Sequence, residues 1–431
     1  MPLLSGEAGP EMPPVPEFRD EPESASAAAP ERGIRFHPLD YATMVGFLAY
    51  SSSVTATPIC LVAISRELSL SLSQAGALEA VRSVLTVAML LASGFVAARL
   101  GKARALGWSC LALGVGMVGY SLAPSYGLAL LALAGLGLGG GVVEALINPL
   151  VQELHPRDSG RYLNLTNAFW SIGTLLTMLG AGELLTRDVS WRAIMAGLGA
   201  LSGAAGLLYL GLRRHGKERP RLPMAAVLRQ KRAIALRGRF WLFSGMMFFG
   251  GAAEGAFTYW SASLIQLHHQ GLPRAAGIGV ALFAGGMIAA RLAFGWLVAQ
   301  RRLWTLLTGS ALAGIAVSAT VPFIDRVDLA YGCLFLAGVS VACFWPSIQS
   351  YAVDRMDLDP TALFILLSCG GVAGFASISW LMGWIGDAFD LRTSFWCVPL
   401  CLVALLGCLI LERTRPPPEA AANDAEAKAA G

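Results

Sequence analysis

Residues 127–153 read GLALLALAGLGLGGGVVEALINPLVQE, and residues 328–353 read DLAYGCLFLAGVSVACFWPSIQSYAV. Each run is long and apolar enough to cross a bilayer, which takes about 20 mainly apolar residues per helix. Laid over each other at an offset of 197 residues, Gly141 meets Gly338, Pro149 meets Pro346 and Gln152 meets Gln349. The same offset brings Ser171 and Gly173 onto Ser368 and Gly370. The chain is therefore read as two repeats of one membrane-embedded unit, a pattern that points to a carrier whose halves rock about a central site.

Working outward from these two segments, apolar runs lie at 41–63, 75–98, 105–123, 127–153, 162–186 and 191–212, and then at 240–267, 274–299, 303–323, 328–353, 360–386 and 393–412. This predicts an all-α membrane protein of twelve transmembrane helices, numbered here as spans 1 to 12, in two pseudo-symmetric six-helix bundles. The bundles are expected over residues 40–212 and 240–413. Only 14% of the 431 residues are charged and 55% are hydrophobic, against about 25% charged in a soluble domain. A soluble fold has no interior large enough for that much apolar surface.

The remaining stretches are polar. Residues 1–39 mix Pro, Glu, Ala and Ser without the apolar core of a signal peptide, and 414–431 follow the helix-ending Pro416, Pro417 and Pro418; both are expected to be disordered cytosolic tails. Between the halves, 213–239 is a basic cytosolic linker with ten cations from Arg213 to Arg239 against the single acid Glu218. Arg99, Lys102 and Arg104 follow span 2, Arg157 and Arg161 follow span 4, and Arg301 and Arg302 follow span 8. Cation-rich loops stay in the cytoplasm, so both termini are expected there, in a multi-pass protein of the plasma (inner) membrane.

Several chemistries are excluded. The eight cysteines all fall inside apolar segments, without disulfide or zinc spacing, and the five histidines lie in loops or tails. Gly135, Gly137 and Gly140 spell GxGxxG inside a membrane span with no strand before it, so they read as small residues that let helices approach. There is no Walker A sequence and no nucleophile elbow. The chain reads as neither an enzyme nor an ATP-driven pump, without cofactor or metal, without affinity for nucleic acid, and as a monomer.

Charges at membrane depth are costly and usually face a cavity or a partner. Glu79 and Glu183 lie toward segment ends, where interfacial water can solvate them; Arg82 is deeper and needs a structural partner. Glu144 sits in the middle of span 4 with Asn148 one turn on, on the same face, and a carboxyl there is a group able to take up and release a proton. Glu254 is central in span 7 and reads either as half of an ion pair with Arg291 of span 8, its expected countercharge, or as a solute-binding or proton-coupling site. Asn167, Trp170, Trp260, Trp345 and Gln349 are candidate solute contacts, because aromatic rings stack on the apolar face of a sugar while amides bind its hydroxyls.

The run Gly94-Phe-Val-Ala-Ala98-Arg99-Leu-Gly101-Lys102-Ala-Arg104 resembles the loop signature of the major facilitator superfamily, with Ala98 where the family has Asp, and a degraded copy follows span 8 at Gly295 to Arg302. Within that superfamily, Glu144-Ala-Leu-Ile-Asn148-Pro149 with Arg161-Tyr-Leu-Asn164-Leu-Thr-Asn167-Ala-Phe169 is similar to the fucose:proton symporters and their sugar-permease relatives. Phe344-Trp-Pro346 and the Gly370, Gly371, Gly374 pattern add to the likeness. The resemblance implies that spans 1, 4, 7 and 10 line a cavity, with Glu254 opposite Glu144 and Arg82, Arg99 and Arg291 in structural or gating roles. Span 1 departs from the pattern, since residues 41–63 carry no acid. The implied function is secondary active transport of a small, sugar-like solute by alternating access, coupled to a proton or other cation. The rival readings are an exporter of amphipathic compounds and a non-transporting sensor or channel.

Overall fold

The computed structural model describes residues 36–155, 159–215, 229, 232–297, 300–356, 358 and 360–415. Residues 1–35, 416–431 and most of the linker therefore lie outside the described residues, and Pro38 and Leu39 of the expected first tail belong to span 1. The rest is helical. Span 1 runs Pro38–Leu68, span 2 Leu72–Leu100, span 3 Lys102–Leu122, span 4 Tyr126–Leu154, span 5 Ser159–Thr186 and span 6 Trp191–Leu212. In the second half, span 7 runs Gly238–Leu267, span 8 Pro273–Leu297, span 9 Leu303–Thr320 and span 11 Pro360–Ala388. Spans 10 and 12 are each assembled from two helices, Val327–Val341 with Phe344–Arg355 and Leu391–Ser394 with Cys397–Arg413.

Eleven of the described segments are long and apolar enough to cross a membrane. The twelfth, span 7, has the length at 30 residues, but Glu254, four interior glycines and several polar residues dilute its hydropathy. Together they form the twelve-helix, two-bundle fold expected. Backbone polar groups have no water to bond inside a bilayer, which is why every crossing element is a helix.

Local sequence sets the helix ends. The His37 side chain accepts from the Leu39 N–H in a capping box with Asp40, Pro38 follows at the first turn, and Ser71 with Gln74 does the same for span 2. Span 10 crosses as one segment, Val327–Arg355, with a break inside it. Pro346 has no N–H for the Ala342 carbonyl four residues earlier, and the helix breaks between Val341 and Phe344. Span 4 carries Pro149 at the matching place and remains continuous.

Within the first half, span 3 packs on spans 4 and 6, span 2 on span 4, and span 1 on span 5; in the second, span 8 packs on span 10, and span 7 on spans 11 and 12. Small residues make the closest crossings possible. A Cβ at Gly137 or Gly141 would collide with the carbonyls of Arg82 and Thr86, so these glycines of the GxGxxG region lay span 4 directly on the backbone of span 2. The halves meet through span 2 with span 11, span 5 with span 8 and span 1 with span 7.

Candidate functional site

The contacts that join the halves concentrate at the end of the bundle remote from the chain termini. Asp387, at the end of span 11, accepts from the N–H groups of Leu72 (2.7 Å) and Ser73 (2.9 Å), the free donors of the first turn of span 2. The Tyr259 hydroxyl donates to the Ala75 carbonyl at 2.5 Å. Glu183 accepts from Arg274 of span 8, with Nε at 2.5 Å and Nη2 at 2.9 Å, and from Arg187 at 2.7 Å. Cβ atoms at Gly76 and Gly383 would collide with the carbonyls of Ser379 and Leu72, so spans 2 and 11 touch backbone to backbone. At the opposite end the ionic clusters stay within one half. Asp40 is fully buried and bonds His155 Nε2 at 2.8 Å, and His155 stacks flat on Tyr162. Glu412, also fully buried, accepts from the Tyr351 hydroxyl at 2.5 Å and lies 3.0 Å from Arg239.

Between these ends, the first half presents a connected polar wall. Arg82 is clasped by Glu79, Nε to Oε2 at 3.0 Å and Nη2 to Oε1 at 2.5 Å, and Ser83 donates to the same carboxylate at 2.8 Å. Both charges are buried. The expectation that Glu79 sits in interfacial water is thus corrected: it lies one helical turn from Arg82 and neutralises it. Glu144 is half-buried on span 4, with the buried Tyr50 of span 1 and Arg82 as its polar neighbours. Tyr50 in turn packs against Trp170, with ring centroids 5.1 Å apart. One turn below Glu144, the Asn148 amide oxygen accepts from Asn167 of span 5 at 3.0 Å, and both side chains are half-buried. Glu144, Asn148, Asn167 and Trp170 are therefore brought together, with Tyr50 as an unanticipated member.

The second half is arranged differently. Glu254 and Arg291 approach to 3.9 Å, with side chains 22% and 39% exposed, while Arg291 Nε donates to the Ala342 carbonyl at 3.1 Å. That carbonyl is the one Pro346 leaves without a helical donor, so Arg291 mends the break in span 10 and reaches Glu254 only loosely. Gln349 donates to Ser368 Oγ at 3.0 Å, and half-buried Trp345 packs on Gly371. Trp260 does not face an open space. It is fully buried near the joined end, its indole N–H donating to the Ser379 carbonyl at 3.0 Å, which makes it a packing residue. Arg99 is exposed in the last turn of span 2, and the ion pair of the following loop is Lys102 with Glu153 at 2.5 Å.

Sequence reasoning missed Tyr50, Asp387, Asp40 and Glu412. Asp387 carried a usable signal, an acid at the end of one span facing the capping end of another; Tyr50 and Glu412 carried none, because their partners lie 94 and 61 residues away in sequence.

A family model described as Major Facilitator Superfamily matches residues 42–378. No curated protein matches the chain in sequence. Among solved structures, a bacterial homolog of the human lysosomal transporter Spinster, in an inward-facing and occupied conformation, superposes with a TM-score of 0.72 at 15% identity, over 87% of this chain and 96% of that one. The nucleoside transporter NupG gives 0.70 at 14% identity, over 88% and 99%. A D-xylose-proton symporter gives 0.69 at 14%, over 88% and 98%.

Proposed function

We propose, from the premise that the chain belongs to the Major Facilitator Superfamily and so moves small solutes by alternating access, that it carries a sugar-like polar solute in symport with protons. The observation that carries this reading is the constellation of half-buried Glu144, Asn148 and Asn167 with the buried Tyr50 at mid-span. Glu144 holds and releases the proton, Tyr50 steadies its carboxylate, and the Asn148–Asn167 pair offers donors and acceptors to solute hydroxyls. Trp170 and Trp345 supply aromatic faces. The similarity of spans 4 and 5 to the fucose:proton symporters supports the sugar class, and two of the structural neighbours are named for a pentose and for nucleosides, which contain one.

Orientation follows from the positive loops. With the termini cytoplasmic, the joined end is extracytoplasmic and the conformation faces inward, as the Spinster homolog of the first comparison does. A C-terminal reporter active only outside the cytoplasm should be silent; a strong signal would reverse this assignment.

A second reading, export of amphipathic compounds, is favoured by one observation: at the positions that match Asn148 and Asn167, the second half carries Trp345 and Phe364. The two readings separate in proteoliposomes loaded with a pH-sensitive dye and challenged with pentoses, hexoses and nucleosides. Symport predicts that at least one of these drives protons inward with it. Saturable transport of amphipathic dyes, with no proton movement on sugar addition, would replace the sugar reading with the exporter.

A further inference from the structure

Spans 8, 9 and 10 leave a crevice of about 470 Å³ between them. Span 9 supplies its length, with Arg302 at the mouth and Leu306, Gly309, Ala313 and Val317 following on one face. Fifteen residues at 1.5 Å each make this face about 22 Å long. Phe294 and Leu336 form the walls, and a Cβ added at Gly309 would meet nothing within 4 Å.

The crevice belongs to the second half alone. The positions 197 residues before Leu306, Ser310, Ala313 and Leu336 are Ser109, Leu113, Gly116 and Gly139, and there spans 3 and 4 close tightly. A Cβ at Gly139 would lie 2.6 Å from the Ser109 carbonyl oxygen and one at Gly116 3.0 Å from the Leu136 nitrogen. Leu336, 53% exposed, and Ala313 stand in place of those glycines, so the same crossing cannot close in the second half.

We propose that this crevice binds an anionic phospholipid, one acyl chain lying along span 9 and the phosphate resting against Arg302. Two features select that occupant. The groove is long and its lining is mainly apolar, with Thr305, Ser310 and Ser340 as the uncharged polar exceptions, which suits a hydrocarbon chain better than a compact polar solute. Arg302 and its neighbour Arg301 precede the apolar face of span 9, at the membrane boundary on the side of the termini, where a headgroup phosphate lies when its chain points inward. Cationic mouths of pockets between membrane helices are known headgroup sites.

The test is native mass spectrometry of the full-length protein in detergent, titrated with phosphatidylglycerol and with phosphatidylcholine of the same chains. Phosphatidylglycerol should bind at least about fivefold more tightly, and Arg302→Gln should remove that preference. Arg326→Gln deletes an equal charge outside the crevice, from a residue paired with Asp328, and should change nothing. Gly309→Leu fills the groove and should abolish binding of both lipids, with Ala313→Leu as a rim variant should the first fold poorly. Equal affinity for the two lipids, unchanged binding in both groove-filling variants, or dimers that the groove-filling variants dissociate without touching lipid binding would each overturn the proposal.

Discussion

The two halves follow the same helix order but furnish the cleft unequally. In the first half Tyr50, Glu79, Arg82 and Glu144 form a network over spans 1, 2 and 4; the residues 197 positions later are Met247, Ala276, Gly279 and Val341. Asn148 and Asn167 likewise become Trp345 and Phe364. The second half has its own acid in another place, since Glu254 corresponds to Thr57, and its cation is occupied with the carbonyl freed by Pro346. The repeat keeps Gly141 with Gly338 and Pro149 with Pro346, and the cleft-facing positions diverge. On the function proposed above, the first half holds the chemistry that titrates, and the second supplies surface and the break in span 10.

The largest effect expected from this asymmetry is at Arg82. Arg82→Gln leaves Glu79 buried without its partner, and loss of one member of a buried pair costs about 3–5 kcal/mol. Folded yield and thermal stability in detergent should fall sharply, and Glu79→Gln with Arg82→Gln should recover most of the loss. A single variant as stable as wild type would show that the pair is not a buried one. Next comes the joined end. Gly76→Leu forces a side chain against the Ser379 carbonyl, overpacking that costs about 1–3 kcal/mol. Transport should fall about tenfold with the fold retained; near wild-type transport would mean that close apposition of spans 2 and 11 is dispensable.

Much of the architecture was legible because its causes are local. Twelve apolar runs and the offset of 197 residues each follow from composition over 20 to 30 residues, and Gly137 sits where small residues were expected to bring helices together. The break inside span 10 was not legible, because hydropathy does not register the N–H that Pro346 lacks. Glu79 was misjudged for a related reason: distance from a segment end says little about depth when the helix continues past the apolar run, as span 2 does by starting at Leu72. Trp260 and Trp345 were indistinguishable in sequence. What separates them is that one indole N–H finds the Ser379 carbonyl and the other ring lies on Gly371, facts of tertiary packing alone.

Smaller effects sharpen the contrast. In a double-mutant cycle, Glu254→Gln with Arg291→Gln should show a coupling of at most about 1 kcal/mol, the range of solvent-exposed pairs, because the charges are 3.9 Å apart and partly exposed. Arg291→Gln alone should destabilise through the Ala342 carbonyl. A coupling as large as that of Glu79 with Arg82 would erase the difference drawn between the halves. Asn167→Ala removes one amide contact to Asn148 and should raise the KM for a transported solute about fivefold, the worth of roughly one hydrogen bond. No change in KM would take the amide pair out of the solute site.

The account turns on which half carries the proton. Reconstituted wild type, Glu144→Gln and Glu254→Gln should be compared for uphill uptake of a transported solute under an inward proton gradient, with counterflow as the control for binding and exchange. Glu144→Gln should retain counterflow and lose accumulation against a gradient, while Glu254→Gln should retain both. Equal accumulation by wild type and Glu144→Gln, or loss of coupling in Glu254→Gln alone, would contradict the assignment.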